Sequence, residues 1–389
     1  MAPSLPHHLD TYLQERFDTP AADWPFRLRS PGRVNLIGEH VDYTGGLVLP
    51  AAINYAIYFL ARRLDEPVWR LHAADLDEFY ELSLPIAGRT GTLWVDYLAG
   101  IGVQFQDQGH FLPGLEIVFG GDLPRGSGMS SSAALEGGMA FLLDHLLNTR
   151  YNRPSLAALC MRSSNTFLNI PSGIMDQFAS LNGSSDGPIV LNCQTLSSQP
   201  VKNAITGYRF VLVNSLVSHS LANSAYADRV AECQRALEVI QATFPRVTHL
   251  SATLPDQLQT VEDRMDEVAR KRATYVVAEN KRVSKAVLAL ESGSHYEMGR
   301  LMNETHAGLR DLYEVSCPEI DFLQSFASTA AGVAGARLMG GGFGGCIICL
   351  VEETAIDRFF TDIAEAYEAE YGIRPETYPV VLRAGTDFF

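Results

Sequence analysis

The sequence predicts an α/β fold, of the α+β kind, divided into two domains. Three observations carry that expectation. Strand-like apolar runs alternate with helical patterns through the first half, and longer helical patterns fill much of the second. At 389 residues and 47% hydrophobic content, the chain can bury a large core and exceeds the usual size of one domain. A Ser-Ser-Asp-Gly-Pro break at Ser184–Pro188 falls between apolar runs and sets the expected boundary, 1–185 against 186–389.

In chain order, strands are expected at Val48–Leu60, Leu115–Phe119 and Ile189–Leu191, and helices at Asp96–Gln106, Ser132–Leu147 and Ser155–Phe167. Leu115–Phe119 alternates as a half-buried strand does, and the helical pattern after it begins directly beyond a Gly/Ser-rich turn. Past the boundary, Tyr208–Val213 reads as a strand, followed by helical patterns over Ala225–Phe244, Pro255–Leu290 and Ile320–Ala331. The end reads strand Cys346–Val351, helix Ile356–Tyr371 and strand Thr377–Leu382. Cys346-Ile-Ile-Cys349 has a redox or zinc spacing, but it lies in an apolar run that reads as a buried strand. No internal repeat or low-complexity tract is present.

Composition agrees with a soluble protein of the cytoplasm. A formal charge of −15 argues against nucleic acid and anionic membrane surfaces as partners. Six cysteines without a dense framework read as reduced thiols. Met1–Pro25 lacks a basic segment followed by an apolar run, so no signal peptide is expected, and no apolar stretch reaches membrane-spanning length.

The most informative stretch is Leu123-Pro-Arg-Gly-Ser-Gly-Met-Ser-Ser-Ser-Ala-Ala-Leu135. A strand feeds a Gly-x-Gly turn, which delivers its N–H groups to the start of a helix, where orphan donors and the helix dipole favour an anion. Gly126 and Gly128 let the main chain approach a phosphate, and the hydroxyls of Ser130, Ser131 and Ser132 can cap the helix, bind phosphate oxygens or hold Mg²⁺. On this stretch alone, a Ser-rich helix cap and a phosphate loop explain the pattern equally. A second motif separates them. Pro31-Gly-Arg-Val-Asn-Leu-Ile-Gly-Glu-His-Val-Asp-Tyr-Thr-Gly-Gly-Leu-Val-Leu-Pro50 interleaves Arg33, Asn35, Glu39, His40, Asp42 and Tyr43 with apolar residues. A solvated loop has no need of the apolar residues, and a dry core does not accept the charges without partners. The segment reads as a concave wall for a polyhydroxy ligand. Glu39, His40 and Asp42 are also metal-ligand types, but no second His or Cys cluster stands at metal spacing.

Gly32-Arg-Val-Asn-Leu-Ile-Gly-Glu-His-Val-Asp-Tyr43 closely resembles the signature of galactokinases, within the GHMP superfamily of small-molecule kinases. Leu123–Ala134 is similar to that superfamily's ATP-phosphate loop, Gly173-Ile-Met-Asp-Gln-Phe178 to the segment carrying the catalytic Asp, and Leu338–Cys346 to its third, glycine-rich motif. Weaker similarity covers His219–Tyr226 and His306–Asp311. The resemblance implies a two-domain kinase fold, with a ribosomal-protein-S5-like N-terminal domain, a ferredoxin-like C-terminal domain and the active site between them. It implies a monomer that phosphorylates the anomeric hydroxyl of galactose from ATP with Mg²⁺.

Residue by residue, it implies Asp176 as proton acceptor with Arg33 as its partner, and Glu39, His40, Asp42, Gly173 and Tyr226 around the sugar. It places Gly126, Ser127, Gly128, Met129, Ser130, Ser131 and Ser132 at the ATP phosphates, Ser132 at the metal, and Trp94 beside the adenine. Asp176 also reads as a cap of the helix that starts near Ser172, and Trp94 as an ordinary core residue. Four departures stand out. Ser164 occupies the position of a Glu that helps hold Mg²⁺; Ser218 replaces a basic residue; Ser172 and Asn169 replace a Cys and a Gly; Val41 and Thr44 replace Thr and Asn in the sugar motif. Val41 is also similar to the β-branched apolar residue of N-acetylgalactosamine kinases. A kinase for another hexose or N-acetylhexosamine, or a weakened sugar and ATP sensor, therefore stays open.

Overall fold

The computed structural model describes residues 5–124, 126–218 and 222–389, without the side chains of Ser218 and residues 222–225. In chain order the strands are β1 (Phe26–Asn35), β2 (Leu47–Val48), β3 (Pro50–Leu64), β4 (Val68–Ala73), β5 (Glu78–Ser83), β6 (Gly114–Gly121), β7 (Ile189–Asn192), β8 (Ser198–Pro200), β9 (Tyr208–Ser218), β10 (Val333–Met339), β11 (Gly344–Glu352), β12 (Glu376–Pro379) and β13 (Asp387–Phe388). The helices are α1 (His7–Phe17), α2 (Leu93–Gln106), α3 (Ser131–Leu147), α4 (Arg153–Arg162), α5 (Met175–Asn182), α6 (Ala222–Thr243), α7 (Pro255–Val261), α8 (Glu267–Glu291), α9 (His295–Asp311), α10 (Pro318–Thr329) and α11 (Ile356–Tyr371).

Six strands form a sheet in the order β13-β1-β3-β6-β4-β5, with β4 and β6 parallel and the other pairs antiparallel. Helices α3 and α5 cover the β1–β3 part of one face, and α2 and α4 pack on them. A second, antiparallel sheet runs β10-β11-β9-β12, backed by α9 and α10. A small sheet, β2-β7-β8, pairs the end of the interleaved Pro31–Pro50 motif with β7. Val34, Leu36, Ile37 and Leu49 share one buried cluster with Leu212, Ile348, Met339 and Val283. The apolar half of the polar-and-apolar motif is thus the seam between the two large sheets and α8, which fixes its polar half in place.

β1 is irregular where it matters. Its register with β3 shifts between Pro31 and Arg33, a bulge that re-aims the next side chain. At Gly32 a Cβ would stand 2.5 Å from Leu123 Cδ1 and 2.7 Å from the Met129 carbonyl, so only glycine lets the Gly/Ser-rich loop lie against the strand. The Arg33 N–H then donates to Met129 O at 3.1 Å.

Several elements depart from the sequence reading. Pro255–Leu290 is two helices, because Met265 is extended and Asp266 caps α8 by accepting from Ala269 N at 2.8 Å. The helix expected at Ser155–Phe167 begins at Arg153, with Asn152 as cap and Pro154 in its first turn, and passes into a π-turn at Ser163–Phe167. Val48–Leu60 divides into β2 and a longer β3, and the last expected strand ends at Pro379. The β4–β5 hairpin, β10, α1 and α9 carried no expectation. Cys346 and Cys349 lie buried in β11, and all six cysteines are free thiols. No described helix is long and apolar enough to cross a membrane.

Candidate active site

Arg33, delivered by the bulge, is 4% exposed and grips Asp176 with both arms: Nε donates to Oδ1 at 2.8 Å and Nη2 to Oδ2 at 2.7 Å. Its third nitrogen, Nη1, donates to Gly128 O at 2.5 Å, tying the pair to the glycine loop. Burial works against the Arg33 charge, but Asp176, Glu39 and Asp42 outweigh it and hold the guanidinium above its ordinary range. Asp176 is the second residue of α5, whose cap is Ile174 with no side-chain cap bond. The cap reading of Asp176 is thereby corrected: its carboxylate takes Arg33 and, at 2.5 Å, the Ser130 hydroxyl.

The glycine loop is held from below. Gly126 and Gly128 both sit at φ +72° and Ser130 at φ 60°, left-handed conformations that turn the chain into α3. Ser127 is fully buried, its Oγ bonded to Pro124 O at 2.7 Å, and its carbonyl accepts from the Cys346 thiol at 2.8 Å. Met129 is buried as well. These two residues therefore offer only backbone to a ligand. Ser130 is the residue before α3 but makes no side-chain cap, which corrects that reading of its hydroxyl. Ser131 and Ser132 line an apolar cavity of about 500 Å³ with Leu93, Trp94, Phe119 and Leu135. Trp94 anchors its indole N–H on Glu78 at 2.6 Å and is tilted against Phe119.

On the other side of Ser132 opens a polar cavity of about 230 Å³, and Ser132 and Tyr97 belong to both. Glu39, His40, Asp42, Gly173, Tyr226, Arg33 and Asp176 all line it. Glu39 is 2% exposed and uses Oε1 to accept from Gly340 N at 2.8 Å and Arg337 Nη1 at 3.2 Å. Arg337 is fully buried and also clasps the carbonyls of Asn35, Leu36 and Leu338. His40 is held at both nitrogens: Nε2 to Gly341 O at 3.2 Å, Nδ1 to the Tyr43 hydroxyl at 3.0 Å. Burial lowers its pKa to about 4, so the ring is neutral, donating through Nε2 and accepting from Tyr43. The Tyr43 hydroxyl in turn meets Tyr313 at 2.7 Å, and Tyr313 meets Cys233 at 3.0 Å. Asp42 is pushed up to about 7 by desolvation, with the Asp176 charge adding to it. Tyr226 packs on the Tyr43 and His40 rings and lines the cavity together with Gly173.

Some expected positions do other work. Asn35 is fully buried and serves the motif's own backbone, accepting from Leu49 N, rather than facing a ligand. Val41 is core, and Thr44 is buried with its hydroxyl on Val41 O and Ser251, so neither substitution reaches the polar cavity. Asn169 stands at φ 57°, a conformation Asn tolerates better than most residues. Ser164 lines the polar cavity and donates to Glu136 Oε1 at 2.6 Å. Burial pushes Glu136 up to about 7, against the bonds from Ser164 and Gln177 and with the Asp176 charge adding. The Ser218 side chain and His219–Leu221 lie outside the described residues. Among those described, no three His, Cys, Asp or Glu cluster as metal ligands. Sequence reading assigned no role to Tyr97, Glu136, Gln177, Tyr313 and Arg337; Gln177, next to Asp176 in its motif, and Glu136, one helical turn after Ser132, carried a signal to find them by.

Comparison with known proteins meets this geometry at each motif. Residues 13–63 match the galactokinase galactose-binding signature, 96–184 the GHMP kinase N-terminal domain and 286–369 the GHMP kinase C-terminal domain. A galactokinase of Roseiflexus sp. (strain RS-1) is 39% identical over 94% of this chain and 93% of its own length. One from Clostridium beijerinckii is 37% identical over 92% of this chain and 93% of its own. The crystal structure of Lactococcus lactis galactokinase complexed with galactose superposes with a TM-score of 0.91 at 34% identity, covering 98% of this chain and 99% of that one. Methanococcus jannaschii mevalonate kinase, at 17% identity and a TM-score of 0.66, covers 92% of this chain and 98% of its own and shares the fold. With likeness sustained from the bulged first strand to the last helices, the chain belongs to the galactokinase family of the GHMP kinases.

Proposed function

We propose that this protein transfers the terminal phosphoryl group of ATP to the anomeric hydroxyl of galactose, giving galactose 1-phosphate and ADP. The observation that carries the reading is the Arg33–Asp176 pair, set where the polar cavity meets the glycine loop. Asp176 accepts the hydroxyl proton as the sugar oxygen bonds to phosphorus and the bridging bond to ADP breaks. Arg33 holds both Asp176 oxygens in place and faces the charge that develops, while the loop N–H groups and the start of α3 cradle the phosphates. General-base assistance of this kind contributes roughly 10²–10⁴-fold. Glu39 and Asp42 accept from sugar hydroxyls. His40, with both nitrogens engaged, orients the wall. The apolar cavity at Trp94 suits the nucleotide base.

Ser132, Ser164 and the unpaired, buried Gln177 Oε1 are oxygen donors suited to hydrated Mg²⁺. Bound with ATP, that ion neutralises phosphate charge. The six free thiols support a cytoplasmic protein, and the Ser184–Pro188 break supports a domain division there. An ADP-release assay across galactose, glucose and N-acetylgalactosamine tests the reading. Galactose should lead glucose by at least roughly 10²-fold in kcat/KM, because an epimer leaves buried acceptors unpaired. Equal values, activity confined to the N-acetylated sugar, or no turnover of any of them contradicts it.

A further inference from the structure

Behind the wall that carries Ser164 sits a carboxylate with no part in the chemistry above. Glu136 follows Ser132 by one turn of α3, so the two side chains rise on the same helix face. It is fully buried, and its oxygens take the Ser164 hydroxyl at 2.6 Å and Gln177 Nε2 at 3.1 Å. Among the described residues no Arg, Lys or His makes an ion pair with it, and its charged neighbour is another acid, Asp176. Burying an ion costs several kcal/mol, and two hydrogen bonds to neutral groups return about 1 kcal/mol each. A glutamine would fill this place at less cost, unless a cation arrives.

A second observation points the same way. Gln177 is 3% exposed, and its amide nitrogen is spent on Glu136 and on the Ser172 hydroxyl, yet its Oε1 has no donor. Because Ser164 gives its proton to Glu136, its oxygen lone pairs are left for the cavity. Ser132, Ser164, Gln177 and Tyr97 thus form one all-oxygen end of that cavity, the chemistry that hydrated Mg²⁺ prefers.

We propose that Glu136 supplies the negative charge that holds Mg²⁺ in this chain, acting from one layer back through Ser164 and Gln177, which receive the ion's water. The charge lost from the cavity surface at Ser164 is kept one residue deeper. The inference rests on the reading of this site as an ATP site. Outer-layer partners of this kind are worth roughly 10–100-fold in metal affinity.

The test is a titration of Mn²⁺ onto the protein saturated with the non-hydrolysable imido analogue of ATP, with free Mn²⁺ read by electron paramagnetic resonance. Glu136→Gln should weaken Mn²⁺ at least about 10-fold while metal-free affinity for the analogue stays within about 3-fold. Exchanging the residues, Glu136→Ser with Ser164→Glu, should restore affinity to within about 3-fold, because it returns the carboxylate to the cavity wall. An affinity in Glu136→Gln within about 2-fold of wild type overturns the inference. If that variant loses its cooperative melt, Ser164→Ala decides: a weakening of roughly 3-fold or more supports the proposal and an unmoved midpoint refutes it. Wild-type protein that binds the analogue but no Mn²⁺ removes the metal reading itself, a failure distinct from an unmoved Glu136→Gln.

Discussion

Gly173→Ala is the sharpest probe of the sugar side. A Cβ at this position would lie 1.7 Å from Asp42 Oδ2 and 2.3 Å from its Cγ, where ordinary contact begins at 3.4 Å. Relief needs a shift of about 1.7 Å, the difference of 3.4 and 1.7, by the Asp42 carboxylate or by the backbone. Asp42 has one methylene with which to swing. Backbone movement instead shifts the Ile170–Gly173 stretch of the cavity wall. Either way a group that positions the sugar is displaced by more than the roughly 1 Å that can cost about 10²-fold in rate, or about 2.7 kcal/mol of barrier. Galactose kcat/KM measured by coupled ADP release should therefore fall at least about 10²-fold. The apolar cavity at Trp94 and Leu135, proposed for the nucleotide base, does not include Gly173, so ADP affinity by calorimetry should stay within about 3-fold. A variant whose kcat/KM stays within about 5-fold of wild type would refute the reasoning, because it would mean that Asp42 does not touch the sugar.

Three further outcomes are expected. With its pKa pushed up to about 7, Asp42 is an acceptor-only carboxylate above that pH and protonated below it, so galactose KM should fall as pH rises through about 7. His40, at about 4, adds no limb near its ordinary value, and Asp42→Asn should flatten the profile. The same raised pKa stabilises the fold below the ordinary carboxylate range and is lost as pH rises through about 7; Asp42→Asn should therefore gain melting temperature relative to wild type on going from acid to neutral pH. Arg337→Ala leaves the 2%-exposed Glu39 carboxylate without its cation and should cost roughly 3–5 kcal/mol in urea unfolding, whereas an unchanged midpoint would show that Gly340 N alone suffices.

What could be read from the chain was whatever is local in it. The glycine loop announces itself because left-handed turns, small residues and a helix start must be consecutive, and the loop does turn into α3 as expected. The interleaved motif was legible because charges among apolar residues need partners, although the partners themselves were hidden: Arg337 stands 298 residues from Glu39, and Tyr313 lies 270 from Tyr43. Asn35 looked like a ligand-binding side chain, since nothing local shows that the Leu49 N–H would claim it. Capping was one of three roles open to the Ser130 hydroxyl in the sequence, yet its left-handed backbone turns that hydroxyl toward Asp176 on a different helix. The break between α7 and α8 was visible only as Asp266, a single capping residue inside an otherwise periodic run. Glu136 shows the same limit at the site: its spacing from Ser132 was in view, but its pairing with Ser164 comes from the packing of α3 against α4 and the π-turn.

The central claim is that the Arg33–Asp176 pair directs phosphoryl transfer to the anomeric oxygen of galactose. The most direct measurement is proton-coupled phosphorus NMR of the product formed from ATP, Mg²⁺ and galactose, run in parallel with Asp176→Asn. The account predicts one sugar phosphate per ADP, its phosphorus coupled to the anomeric proton, formed at least roughly 10²-fold more slowly by a folded variant that still binds ATP. Phosphorus coupled instead to the protons of carbon 6, or an Asp176→Asn rate within a few-fold of wild type, would contradict it.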